Sequence, residues 1–243
     1  MGGSMWIAMW SGPRNISTAL MRSWENREDT AVSDEPFYGA YLKETGLDHP
    51  GRDEIVEAME SDGEKVVKYI TGPIPDSKVI WYQKHMAHHM LTDWSLDWLE
   101  KVTSCFLIRD PKEVILSYSK KFEIRSLDLL GYNRQAELFE LVKKITGEIP
   151  IVLDTKDLLS NPGGILKKMC DKLGVLFSNR MLSWPKGKRN SDGVWGEYWY
   201  QNVEESTGFR PYKPSDELLP ANLIPTYNQC KPLYERLYQF RLF

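Results

Sequence analysis

The chain has 243 residues, a formal net charge of −3 at pH 7, 42% hydrophobic residues and 27% charged residues. This length accommodates one sizeable α/β domain, and the balanced charge gives no overall attraction to nucleic acid or to anionic membranes. No stretch reaches the roughly 18 consecutive apolar residues of a membrane span. Three widely spaced cysteines predict reduced, mostly buried thiols and a cytoplasmic protein. Residues 1–4 are expected to be a start-site or added extension without a secretory signal.

Short apolar runs bounded by charge, Gly or Pro predict buried strands. In chain order they are 5–10, 30–34, 78–83, 103–109 and 149–154. Helical patterns lie between and after them, at 17–27, 52–61, 86–101, 111–122, 132–146, 162–173 and 225–240. Strands that alternate with helices predict an α/β protein with three αβα layers and a central parallel sheet. Residues 177–223 are expected to form an irregular cap. The whole stretch 5–243 is expected to form a single domain. Ligands of such sheets bind where the strands end.

The stretch "GPRNIST" (12–18) joins the first strand to the first helix. Unpaired N–H groups at a helix start, the hydroxyls of Ser17 and Thr18 and the guanidinium of Arg14 suit a tetrahedral oxyanion. The alternative is an ordinary strand–helix turn in which Ser17 or Asn15 caps the helix. The second Gly and the Lys of an ATP-binding P-loop are missing, which disfavours that site.

The segment "RDPKEVILS" (109–117) ends the fourth strand with Arg109 and reaches Ser117 eight residues later. It resembles the sulfotransferase superfamily that uses 3′-phosphoadenosine 5′-phosphosulfate, whose 3′-phosphate site has this Arg, an Asp-Pro or Asn-Pro pair and this Ser. The resemblance implies a P-loop NTPase-like architecture. It implies sulfuryl transfer to a small-molecule acceptor without a metal, with 3′,5′-adenosine bisphosphate as the product. Arg and Ser together suit one phosphate.

The resemblance extends to "PRNIST" (13–18), which is similar to the family's 5′-phosphosulfate loop. Arg14, Asn15, Ile16, Ser17 and Thr18 thereby become cofactor-binding candidates. Ile16 stands where Gly is usual, and Ile does not easily take a positive φ. The backbone there is therefore expected to differ, unless the usual residue never needed a positive φ.

Two further segments carry weaker likeness. Residues 151–175 are similar to the family's strand, turn and helix near the adenine. The stretch "KGKRNSDGVW" (186–195) resembles a basic Lys-Gly segment that folds over the 3′-phosphate, so Lys186, Gly187 and Arg189 are candidates with altered spacing.

Sulfuryl transfer needs a base for the acceptor proton. Glu35 follows the second strand, where some bacterial members carry a Glu, and the alternative is an acid at a helix N-terminus. Lys84 and His85 lie where many members have a Lys and a basic His, and Lys84 is a candidate to steady the sulfuryl oxygens. Glu35 and His85 both remain candidates for the base.

Three histidines and a group of aromatic residues have further interpretations. His85, His88 and His89 share one face at helical spacing and suit zinc, but no fourth ligand pattern accompanies them. The aromatic residues wall an acceptor pocket or form the core of the cap; they are Trp184, Trp195, Tyr198, Trp199, Tyr200, Phe209 and Tyr212.

Two other functions stay open. One is a magnesium-dependent nucleotide or small-molecule kinase in which Asp110 holds the metal. The other is a catalytically silent protein that binds the nucleotide. The sequence leaves a homo-oligomer open and does not identify the acceptor.

Overall fold

The computed structural model of the protein describes residues 3–243 and contains one five-stranded parallel sheet. Its strands are β1 (Met5–Ser11), β2 (Thr30–Asp34), β3 (Ile80–Met86), β4 (Thr103–Ile108) and β5 (Ile151–Asp154). Their order across the sheet is β2-β3-β1-β4-β5. The predicted parallel α/β fold is confirmed. Residues 1–2 of the expected extension lie outside the described part of the chain, and the single-domain division stays a prediction.

Helices cover both faces of this sheet. They are α1 (Ser17–Glu25), α2 (Tyr38–Thr45), α3 (Arg52–Ala58), α4 (Gly63–Ile70), α5 (Pro111–Ser119), α6 (Tyr132–Thr146), α7 (Thr155–Ser160), α8 (Pro162–Leu173), α9 (Gly196–Trp199), α10 (Gln201–Glu204) and α11 (Ile224–Tyr238). Among residues 3–243, no helix has both the length and the apolar character that a bilayer span requires.

Alternation along β1 explains the three layers. Ile7 and Met9 pack with α1 and α8 on one face, whereas Ala8 and Trp10 pack with α6 on the other. A strand buried on both faces is apolar throughout, which is the pattern that the sequence shows. Cys105, Cys170 and Cys230 are buried and free, as the wide spacing predicts.

Helix boundaries follow local chemistry. The Asp110 carboxylate accepts from the Lys112 N–H at 2.8 Å, with Pro111 at the first position of α5. The Asn161 side chain accepts from the Gly164 N–H at 3.0 Å, and α8 ends at Gly174 with φ 69°. These caps satisfy terminal groups that the helices leave unpaired.

The predicted helix at 86–101 is wrong. Residues 87–89 and 97–101 form short 3₁₀ turns, and an irregular segment joins them. The guanidinium of Arg134 donates to the carbonyl oxygens of Met90 and Leu91 at 2.7 and 2.9 Å. Tertiary hydrogen bonds thus satisfy carbonyls that a helix would otherwise pair.

The third strand runs to Met86 rather than ending at residue 83. Parallel pairing with β1 places Lys84 opposite Met9 and His85 opposite Trp10. Lys84 and His85 are therefore strand residues that point to opposite faces, not residues of a loop after the strand. The cap predicted at 177–223 is indeed irregular apart from α9, α10 and short 3₁₀ turns.

Candidate active site

A cavity of about 320 Å³ opens where the strands end. Residues 13–19 of the loop after β1 form one wall, and the ends of β2 and β3 form another. The cap closes it from above. Its other lining residues include Tyr38, Tyr41, His49, His88, His89, Arg109, Ser117, Leu159, Trp195, Trp199, Tyr200, Phe209 and Arg210.

The loop before α1 contains two left-handed residues that are not glycine. Arg14 has φ 61° and Ile16 has φ 57°. The structure therefore keeps a left-handed backbone at Ile16, contrary to the expectation for a β-branched residue, at a cost of roughly 1–2 kcal/mol. The Asn15 side chain anchors the loop by donating to the Leu107 carbonyl at 3.2 Å.

In an ordinary strand–helix turn, Ser17 or Asn15 would cap α1, but neither side chain does so here. Ile16 occupies the N-cap position, and no side chain of the described residues caps the helix there. The first-turn N–H groups therefore have no side-chain acceptor, and residues 17–19, which carry them, line the cavity. Ser17 is buried and lines the cavity together with Thr18. This arrangement fits a bound oxyanion.

Two arginines and a serine meet beside this loop. Arg14 Nε donates to Ser117 Oγ at 3.0 Å, and Arg109 Nη1 donates to the Arg14 carbonyl at 2.6 Å. Burial, followed by the charge of Arg109, lowers the pKa of Arg14. Glu113 accepts from Arg109 Nε at 2.9 Å, which orients that guanidinium. Glu113 balances one of the two adjacent arginine charges, and the remaining positive charge suits a phosphate.

Lys84 also lines the cavity and is 1% exposed. Its Nζ donates to Asp34 Oδ1 at 2.8 Å, to Glu35 Oε1 at 2.7 Å and to the Tyr200 hydroxyl at 2.6 Å. An ammonium has three N–H donors, so all of them are engaged. In this arrangement Lys84 offers no N–H to a sulfuryl oxygen. It instead orients and neutralises its carboxylate neighbours.

Asp34 and Tyr200 complete the network. The Tyr200 hydroxyl donates to Asp34 Oδ2 at 2.6 Å and accepts from Trp195 Nε1 at 3.0 Å. Burial alone would lower the pKa of Lys84, but the charges of Asp34 and Glu35 raise it well above its usual value. The lysine is therefore held in its charged form.

Glu35 faces the cavity from a left-handed backbone position, φ 45°. Burial raises the pKa of its carboxyl, Lys84 opposes that rise, and Asp34 adds to it. Its Oε2 lies 3.8 Å from His89 Nδ1. A buried carboxylate with a raised pKa beside a cavity has the properties of a general base.

The structure does not bring His85 to the cavity. Its ring is buried on the other face of β3 and stacks on Trp10 with centroids 4.6 Å apart. Burial lowers the pKa of His85 to about 3. His85 is thus a neutral core histidine in this structure, because alternate residues of a strand face opposite sides.

Lys186, Gly187 and Arg189 also lie away from the cavity lining. Arg189 faces Glu25 near the end of α1, with Nε and Oε2 3.9 Å apart. Gly187 takes φ 113° in the cap. Arg210, which the sequence did not single out, is the cap arginine that lines the cavity.

The histidines do not form a zinc site. His85 faces away from His88 and His89, and within residues 3–243 no group of three or more His, Cys, Asp or Glu side chains has metal-binding geometry. Asp110, the metal ligand of the kinase alternative, caps α5 instead.

Sequence reasoning missed several lining residues. Tyr38 and Tyr41 belong to a helix that it did not predict. Tyr200 was among the aromatic candidates, but its hydrogen bond with Lys84, 116 positions away, was not predicted. The only sequence feature that could have indicated Asp34 as a site residue is the acidic pair "DE" at 34–35, at the end of the second strand. Of the late aromatic residues, Trp195, Trp199, Tyr200 and Phe209 line the cavity, whereas Tyr212 donates to Glu113 at 2.6 Å.

Comparison with known proteins agrees with this architecture. The chain resembles the sulfotransferase domain from the Synechococcus PCC 7002 olefin synthase (TM-score 0.56, 17% identity, 94% and 95% of the two chains covered). It also resembles a sulfotransferase from Alicyclobacillus acidocaldarius (TM-score 0.55, 11% identity, 98% and 96% covered). At these identities the likeness shows the fold.

Two Arabidopsis thaliana proteins are similar in sequence. They are branched-chain-amino-acid aminotransferase-like proteins 2 and 1, at 35% identity over 231 residues and 36% over 234. Each match covers 95% of this chain and 41% of the relative, so the chain spans about two fifths of their length. Their names are those of the whole proteins.

A family model described as "Sulfotransferase domain" matches residues 5–233, nearly the whole chain. The matched region contains the loop after β1, the Arg109–Ser117 segment and the Lys84 network. The chain therefore belongs to the sulfotransferase domain family.

Proposed function

We propose that this chain transfers a sulfuryl group from 3′-phosphoadenosine 5′-phosphosulfate to a hydroxyl or amine of a small-molecule acceptor. The observation that carries the proposal is one cavity that is lined both by the loop after β1, with its uncapped helix start, and by the buried carboxyl of Glu35. Membership of the sulfotransferase domain family supports it.

The residues at the loop end fit the donor. The uncapped amides of α1 and the hydroxyls of Ser17 and Thr18 would hold the phosphosulfate, and Arg14 would add charge. Arg109 and Ser117 would hold the 3′-phosphate. Arg210 replaces the Lys186–Arg189 segment in this proposal, because it is the cap arginine on the cavity wall.

Glu35 would accept the acceptor proton. The donor, when bound, supplies the sulfuryl group, and the acceptor oxygen or nitrogen displaces 3′,5′-adenosine bisphosphate in line. Lys84 holds Oε1 of Glu35 at 2.7 Å, which leaves Oε2 for the acceptor hydroxyl. No step assigns a proton to His85, which faces the opposite side of β3.

Tyrosine, tryptophan and histidine side chains line the acceptor end. Burial lowers the pKa of His49 and raises the pKa of Tyr41, so both groups are uncharged at neutral pH. Lys84 shares its one positive charge between the carboxyl groups of Asp34 and Glu35, so it has none to spare for an anionic acceptor. These surroundings favour an acceptor with an apolar body and no negative charge, since an additional negative charge would be desolvated without a partner.

The test is transfer of radiolabelled sulfate from the donor to a panel of alcohols, phenols and amines. We expect a labelled product with the wild-type chain. Binding of 3′,5′-adenosine bisphosphate without transfer to any acceptor would favour the silent binding protein, and preferential binding of ATP with magnesium would favour a kinase.

A further inference from the structure

We infer that His89 is a positioning residue for Glu35: its Nδ1 carries the ring proton and faces Oε2 of the carboxylate, which it attracts electrostatically, and its Nε2 keeps a free lone pair. The inference deepens the proposed function, and it rests on that function only for the role of Glu35 as the base. Nothing in the family match assigns a role to His89.

The two oxygens of Glu35 have different surroundings. Oε1 accepts from Lys84 Nζ at 2.7 Å, whereas the ring nitrogen Nδ1 of His89 lies 3.8 Å from Oε2. Nδ1 is buried and makes no hydrogen bond with any residue in the described range 3–243. A buried polar nitrogen without a partner is uncommon and calls for an explanation. The nearby carboxylate oxygen supplies one.

Aromatic stacking fixes the orientation of the ring. Tyr38 stacks on one side of His89 with centroids 4.4 Å apart and planes at 13°, and Tyr41 stacks at 4.8 Å and 24°. Only 3% of His89 is exposed. The two stacks fix the plane of the imidazole, and a half-turn within that plane would put the non-polar Cδ2 in the place of Nδ1 opposite the carboxylate.

The neutral imidazole has one N–H, and its position follows from the carboxylate. Burial lowers the pKa of His89 well below its usual value, so the ring is neutral at pH 7. A lone pair on Nδ1 would face the lone pairs of Oε2, which is repulsive, whereas Nδ1–H is attracted to them. The titratable groups around the pair are Asp34 from β2, Lys84 and His85 from β3, Tyr38 and Tyr41 from α2, His49, His88 and Tyr200.

This proton position also restricts the acceptor. With the proton on Nδ1, Nε2 is a hydrogen-bond acceptor at the cavity wall. Any hydrogen bond that it makes with a bound molecule must come from an O–H or N–H of that molecule. An acceptor with a second donor group near the reacting hydroxyl, such as a diol or an amino alcohol, satisfies this requirement.

The experiment is long-range ¹H–¹⁵N NMR of the histidine rings in the full chain at pH 7. The chain has four histidines, so His89→Phe identifies the His89 signals. We expect a neutral Nδ1–H tautomer at His89. An Nε2–H tautomer or a charged ring would overturn the inference. The measurement needs no substrate, so it is independent of whether the chain transfers sulfate.

Glu35→Gln sharpens the test. Lys84 Nζ requires an acceptor, so the amide oxygen is expected to face it and the NH₂ group to take the place of Oε2. That NH₂ donates toward Nδ1 and should move the His89 proton to Nε2. An unchanged tautomer in this variant would contradict control of the ring by Glu35.

A second measurement applies if Glu35→Gln does not fold. The ¹³C signal of the Glu35 carboxyl is titrated in the wild type, in His89→Phe and in His88→Phe. Loss of the Nδ1–H donor in His89→Phe should raise the Glu35 midpoint, whereas His88→Phe should leave it within about 0.3 unit. Equal midpoints in the wild type and His89→Phe would overturn the inference. If 3′,5′-adenosine bisphosphate fails to bind the wild type, the proposed function fails and the His89–Glu35 pair stands or falls on these NMR results.

Discussion

The Nζ atom of Lys84 lies 2.7 Å from Oε1 of Glu35, and both side chains are almost fully buried at the end of adjacent strands. Parallel register places Asp34 beside Lys84, so two carboxylates share one ammonium. The cation holds the base candidate in place and opposes the rise that burial causes in its pKa. The pairing of β2 with β3 therefore both forms part of the sheet and brings the charged side chains of the network together.

Removal of the ammonium should strongly destabilise the chain. Lys84→Met leaves two buried carboxylates unpaired, which we expect to lower the free energy of unfolding by about 3–5 kcal/mol, as measured by urea denaturation at pH 7. Lys120→Met is the control, since its 2.8 Å pair with Glu217 is exposed and should contribute at most about 1 kcal/mol. Equal effects of the two substitutions would contradict a structural role for Lys84.

Glu35→Gln should separate transfer from nucleotide binding. Loss of a general base lowers turnover by about 10²- to 10⁴-fold, while the Kd for 3′,5′-adenosine bisphosphate should stay within about twofold. Because burial raises the pKa of Glu35, wild-type turnover should fall on the acid side as the carboxylate takes up a proton. Steady-state kinetics across pH measure both effects. Retained turnover in Glu35→Gln would remove Glu35 from the mechanism.

Ile16 offers a test of backbone strain. Its left-handed conformation, φ 57°, favours Gly over any residue with a Cβ. Ile16→Ala and Ile16→Gly remove nearly the same side chain, yet Ile16→Gly should be more stable than Ile16→Ala by about 1 kcal/mol in thermal unfolding. A helical or extended backbone would give the opposite order, with Ala more stable.

Asp154 makes a pH-dependent contribution to stability. Burial raises its pKa to about 6, partly opposed by the hydrogen bond from Tyr234. The folded state therefore holds this proton more tightly than the unfolded state, and ionisation between about pH 4 and pH 6 destabilises the fold. Relative to Asp154→Asn, the wild type should lose up to about 1.4 kcal/mol of unfolding free energy per pH unit across this range. A constant difference between the two proteins would contradict the raised pKa.

Local patterns in the sequence predicted much of the fold. The strand 30–34 and the helices 132–146 and 162–173 have the predicted bounds, because apolar periodicity and capping residues lie within each segment. The helix predicted at 86–101 failed because Arg134, far along the chain, pairs the carbonyls of that segment. A single segment does not reveal such a distant partner.

The sequence likewise predicted some residues of the candidate site and not others. Strand-end residues such as Arg14 and Arg109 lie together at the cavity, since parallel strands bring their carboxyl ends to one edge. His85 was predicted to follow the third strand and to reach the site. Because β3 continues for three more residues, the His85 side chain points to the other face of the sheet. Arg210 and Tyr200 come from the irregular cap, where no periodicity indicates which side chains turn inward.

The most direct test of the central claim is calorimetric titration of the chain with 3′,5′-adenosine bisphosphate. We expect one site per chain and a loss of affinity of at least tenfold in Arg109→Ala, because the guanidinium would make a charge-assisted contact with the 3′-phosphate. Arg125→Ala is the control, since that arginine is exposed and pairs only with the neighbouring Glu123 at 3.2 Å. Wild-type binding that Arg109→Ala weakens and Arg125→Ala leaves unchanged is the predicted result. No binding to the wild type, or equal binding by both variants, would contradict a donor site formed by Arg14 of the loop after β1 and Arg109 at the end of β4.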